Sequence, residues 1–189
     1  MKKNTKQIVG TGVLTAIVVV LQLVASAIKV GPFSITLVLA PIVVGAALYG
    51  VLSGGWLGLS FGVAVLISGD AAPFLAINPI GAVIVVLLKG MLAGIIAGAV
   101  YELIQKKSKL AGVITAGIVC PVVNTGVFLA GCYIFFQDWL VAVFGTTGFA
   151  TVVAGLVTIN FAIELGINLV LATVIERIIR LGEKEIKTR

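Results

Sequence analysis

Three polar residues recur at four-residue spacing inside an otherwise apolar stretch: Asn160, Glu164 and Asn168. On a helix turning 100° per residue they share one polar face with an arc of about 80°. Lys89 interrupts a second apolar run, and Asn124 with Thr125 interrupts a third, shortly after Pro121. Lys89 and Glu164 read in two ways: as an ion pair steadying two helices, or as parts of a polar site for a ligand. The amides favour the ligand, because an amide offers both donor and acceptor and adds little to a simple ion pair. Asn78-Pro79 pairs an N-cap residue with proline at the first helical position. That start carries free N–H groups and a positive dipole end, and with Lys89 further along it suits a carboxylate. The candidate ligand-contacting residues are therefore Asn78, Lys89, Asn124, Asn160, Glu164 and Asn168.

Other chemistry is missing. The chain contains no His, and Cys120 and Cys132 stand apart in an apolar run without metal-ligand spacing. Both cysteines read as small buried hydrophobes. With no His and no pair of membrane aspartates, no nucleophile–base pair can be assembled. No Gly-rich phosphate loop ending in Gly-Lys-Ser/Thr occurs either. The expectation is a protein that is not an enzyme, has no catalytic residue, metal or cofactor, and cannot power transport by itself.

The elements that must position the polar groups follow from composition. Of 189 residues, 60% are hydrophobic and 11% charged, with a mean hydropathy of +1.26. Such a chain has too little polar surface for water, and its natural solvent is a lipid bilayer. The net charge of +6 could suggest nucleic acid, but 11 of the 13 Lys and Arg fall at positions 2–6, 106–109 and 177–189. That clustering marks cytoplasmic flanks, and there is no basic stripe with interleaved aromatics. The basic start and following apolar run resemble a signal peptide, yet the run is too long and lacks a clear cleavage site.

Breaks at charges and turn residues predict an all-α membrane protein with six transmembrane helices over about 8–28, 35–51, 53–68, 79–104, 110–136 and 152–180. These form a single transmembrane domain with both termini cytoplasmic. The boundary between the second and third helices falls at an uncharged turn marked by Gly50, Ser53, Gly54 and Gly55. Segments 29–34, 69–78 and 137–151 are then outward loops carrying Asp70, Asp138 and several aromatics. Those aromatics read as an interfacial belt, the preferred reading for Trp139, or as a lid over a pocket. Small residues at four-residue spacing, Gly54/Gly58/Gly62 and Gly90/Gly94/Gly98, make flat grooves for close packing inside the bundle. Gly12 and Ala16 make a similar pair on the first helix.

Two stretches carry a family resemblance. NTGVFLAGCYIFF (Asn124–Phe136) followed by INFAIELGINLVLATVIERII (Ile159–Ile179) resembles the last two helices of substrate-binding (S) components of energy-coupling factor (ECF) vitamin transporters. VLLKGMLAGIIAGAVYELI (Val86–Ile104) resembles their fourth helix, and length and span pattern fit along the whole chain, closest to the pantothenate, folate and riboflavin branch. The resemblance implies a subunit that binds a vitamin beneath outer loops with helices four to six. It also implies partners: a membrane coupling subunit and two cytoplasmic ATPases, in a bacterial plasma membrane. Docking would use small residues on the first helix, where Gly12-x-x-x-Ala16 carries Gly in place of the first Ala. The bound subunit would then topple to release its vitamin inside.

For the substrate, an Asn- and Lys-lined site suits a flexible polar carboxylate such as pantothenate, with folate or riboflavin next. Few aromatics beyond Phe128, Tyr133 and Phe161 are available in the inner parts of helices four to six to stack on a flavin or pteridine. The competing function is a stand-alone secondary transporter or channel for a small organic solute. Against it, the two halves show no convincing inverted repeat.

Overall fold

The computed structural model describes residues 3–27, 29–30, 33–34, 38–156, 166, 176–179 and 181. Helix α1 runs Lys3–Ala25, and a short hairpin of β1 (Lys29–Val30) and β2 (Phe33–Ser34) follows it. Then come α2 (Leu39–Tyr49), α3 (Val51–Ile67), α4 (Ala72–Ile77), α5 (Pro79–Ile104), α6 (Lys109–Phe135), α7 (Gln137–Phe144) and α8 (Phe149–Leu156). Apart from the two-residue strands, which depart from the all-α expectation, the elements are helical.

Among the described residues, three helices are long and apolar enough to cross a membrane: Thr5–Ala25, Pro79–Ile104 and Lys109–Phe135. A fourth span is possible by length if α7 and α8, which meet at 70°, are taken together. Helices α2 and α3 are apolar but shorter, at 11 and 17 residues. Gly50 separates them with φ of 94°, a backbone region that a side chain resists, so the chain turns without polar residues.

The neighbours of the glycines give the helix directions. Gly10 packs on Tyr49 and Gly45 on Leu14, so α1 and α2 are antiparallel; Gly45 on Leu57 and Gly54 on Ala46 make α2 and α3 antiparallel too. Gly54, Gly58 and Gly62 of α3 lie opposite Gly94, Gly90 and Val86 of α5, again antiparallel. A methyl group on Gly54 would stand 2.7 Å from the Gly94 carbonyl oxygen, and one on Gly62 would stand 2.8 Å from that of Val86. At Gly58 and Gly90 each backbone occupies the space where the other's side chain would be. Gly131 against Val85 and Gly81 against Phe135 set α6 antiparallel to α5. Lys6, Gly50, Glu102 and Gln105 line one cavity of about 320 Å³, which places their elements at a common end.

Helix α1 is tied to α2 and α3 by side chains along its length. The Gln7 amide donates to the Tyr49 carbonyl, the Thr11 hydroxyl to Ser53 Oγ at 3.2 Å, and the Trp56 indole to Thr15 Oγ1 at 3.2 Å. At the far end Gln22 donates to Asp70 Oδ2 at 2.7 Å. The residues bonded to α1 advance with it, so α1 and α3 run parallel.

Two of the expected outer loops are largely helical. Within 69–78 the chain forms α4, and within 137–151 it forms α7 and the start of α8. The correction has a physical cause: both segments are apolar enough to pack on the bundle, and a packed backbone must bond to itself. Phe74, Phe136, Leu140 and Val152 are buried together with Ala82, Val85 and Cys132 in an outer core. A larger core beneath it gathers Leu39, Ile42, Leu57, Phe61, Tyr101 and Val113.

Candidate functional site

Helix α5 begins where its capping signal predicts. Asn78 Oδ1 accepts a hydrogen bond from the Gly81 N–H at 2.9 Å, and Pro79 occupies the first helical position. The Asn78 carbonyl is thereby engaged in holding the helix start. Ten residues on, about 15 Å along the axis, lies Lys89, half-buried on α5. Its ammonium sits 5.7 Å from the Phe61 ring centroid and 5.2 Å from that of Phe128. Phe61 comes from α3 and is 1% exposed, so the lysine head reaches the bundle interior. The negative faces of two rings favour the cation there, which lowers the cost of a charge at this depth.

Asn124 lies on α6, and the Gly131–Val85 register puts it about one turn beyond Lys89 along α5. It is 6% exposed, and its Oδ1 has no hydrogen-bond partner among the described residues. A buried carbonyl without a donor costs about 1–3 kcal/mol, which an incoming N–H or O–H group would recover. The Tyr133 hydroxyl, nearer the α6 C-terminus, is a second such atom. Asn160, Glu164 and Asn168 lie outside the described residues, and so does any Lys89–Glu164 pairing.

Aromatic rings close the site from above. Phe74 of α4 meets Phe128 edge-on at 5.3 Å, Phe136 at 5.1 Å and Trp139 at 4.8 Å. Trp139 in turn meets Phe144 at 6.0 Å, and Tyr133 faces Phe149 at 6.1 Å. Trp139, read as part of an interfacial belt, is half-buried in this cluster. Phe128 belongs to both layers, touching the lysine head below and Phe74 above.

Reading the sequence missed Phe61, whose ring comes from a helix never assigned to the site, and Gln22. Gln22 is 2% exposed and occurs on α1 after Gln7, Thr11 and Thr15, a polar series at near-helical spacing that could have revealed it. Gly12 and Ala16 lie on the outer face of α1: both are exposed, and no described atom stands within 4 Å of a methyl built on Gly12. Val9, Val13 and Val20 are exposed with them.

No curated protein matches this chain. The family model for the substrate-specific component of ECF transporters does match, over residues 6–176. With nearly the whole chain covered, with apolar helices long enough to span a bilayer and a cation held among aromatic rings in their midst, this membrane protein belongs to the ECF transporter substrate-specific component family.

Proposed function

We propose that this chain captures a small water-soluble vitamin bearing a carboxylate, pantothenate first and folate next, and hands it to an ATP-driven ECF importer. The observation that carries this reading is the Lys89 ammonium beside the rings of Phe61 and Phe128, with Asn124 Oδ1, unpartnered among the described residues, about one turn further along the helix axis. An anion on Lys89 and a donor on Asn124 describe a ligand with a carboxylate and a nearby hydroxyl or amide. Riboflavin lacks the carboxylate and ranks last. Phe61 adds aromatic surface that the sequence did not suggest, which raises folate relative to the other ring-bearing candidate.

On this reading Lys89 and Asn124 contact ligand together with Asn160, Glu164 and Asn168 of the last helix, while Asn78 fixes the start of α5 above them. Six spans with both termini cytoplasmic complete the topology in a bacterial plasma membrane. Its support is the alternation of α1, α2, α3, α5 and α6, which brings Lys6 and the 106–109 basic loop to one end. Gly12 and Ala16, open on α1, form the surface that meets the membrane coupling subunit and its two ATPases. Native mass spectrometry of the purified chain tests the substrate directly. A retained species with the mass of pantothenate or folate is expected, and one lacking any acidic group would reject the carboxylate assignment.

A further inference from the structure

The turn from α3 into α4 is held by a residue of a different helix. Gln22 of α1 is buried, and its amide nitrogen donates to Asp70 Oδ2 at 2.7 Å and approaches Ser68 Oγ at 3.5 Å. Gly69 between them has φ of 84°, so the turn is tight and brings both oxygens to the same amide. Asp70 stands four residues before Phe74, and α4 begins between them. Phe74 lies edge-on against Phe128, whose ring faces the Lys89 ammonium. At its other end α4 is pinned by Asn78, which terminates it and caps α5. A six-residue helix has too few internal hydrogen bonds to hold its own place. Its seat over the site therefore depends on these two anchors and on the rings beneath it.

We propose that Gln22 is a positioning residue for ligand capture: through Asp70 it holds the 68–71 turn so that α4 seats Phe74 on Phe128, closing the site above Lys89. The inference rests on the ligand site proposed above. It assigns to α1 a second task, on a face about 100° round the helix from the exposed Gly12 and Ala16. Side-chain hydrogen bonds between membrane helices are modest, so the Gln22–Asp70 bond can hold the turn without locking it.

Hydrogen–deuterium exchange of the purified full chain, read by mass spectrometry, tests this without any ligand. In Gln22→Leu and Gln22→Glu the amides of residues 71–78 are expected to exchange at least tenfold faster, while those of 93–97 stay unchanged. Gln22→Glu sets two carboxylates against each other. Adding Asp70→Asn restores one donor and one acceptor with their roles exchanged, and is expected to return 71–78 to within threefold of the parent. Unchanged exchange at 71–78 in the single variants overturns the inference. So does faster exchange throughout the chain that the double variant fails to correct, because Gln22 would then only stabilise the fold. Binding of radiolabelled pantothenate to Lys89→Ala separates this inference from the site. Retained binding there rejects the site while leaving the exchange result to decide the role of Gln22.

Discussion

The Lys89 side chain connects a charge with the three helices that tolerate it. Replacing it by Ala leaves the Phe61 and Phe128 rings in place but removes the only basic group deep in an apolar span of the sequence. Lys89→Ala is expected to weaken ligand binding at least thirtyfold with folding intact, measured by titration calorimetry alongside size-exclusion chromatography. Asn168→Ala is expected to act in the same direction, and parent-like affinity in both variants would dissolve the proposed site. Asn124 allows a sharper test. Its Oδ1 is buried without a partner among the described residues, so Asn124→Leu should stabilise the unliganded protein by about 1 kcal/mol while weakening ligand binding tenfold or more. A thermal melt with and without ligand separates the two effects, and a loss of stability in the unliganded protein would contradict the account. The identity of these polar residues was legible in the sequence, because an ionisable group in an apolar run must face protein or water. What surrounds Lys89 was not, since Phe61 and Phe128 are 28 and 39 residues away along the chain.

Helix contacts show the same division. The start of α5 at Asn78-Pro79 was readable because a cap is a local interaction between the cap residue and the first turn. The glycine series on α3 and α5 announced close packing, yet only the folded chain pairs Gly58 with Gly90 and leaves Gly126 of α6 with no described atom within 4 Å of an added methyl. Gly90→Ala is therefore expected to cost about 1–3 kcal/mol and lower the melting temperature in detergent. Gly126→Ala should be neutral, within about 0.5 kcal/mol. Equal effects at the two positions would mean that α3 and α5 do not meet through their backbones. The short helices α4 and α7 were read as loops because aspartate and glycine punctuate both segments, joined by proline in the first. Burial of Phe74 and Leu140 overrides that punctuation.

For the whole molecule, the proposed function puts capture and docking on different surfaces. The proposed ligand site is built from α3, α4, α5 and α6, whereas Gly12 and Ala16 open outward from α1. Ala16→Trp should leave ligand affinity within twofold and abolish vitamin uptake by proteoliposomes holding the coupling subunit and its ATPases. Uptake at the parent rate would remove α1 as the docking face. The sequence by itself determined the membrane setting, the start of α5 and the spans of the longest helices, all of which depend on composition or on contacts within one turn. Only the tertiary structure decided which rings stand beside Lys89, which buried acceptor lacks a partner among the described residues, and that Gln22 reaches Asp70 across 48 positions. Hydropathy and capping act between near neighbours, so they appear in the order of residues. A site made by several helices depends on the register between them, and that register is set by backbone approach at glycines whose partners lie far along the chain.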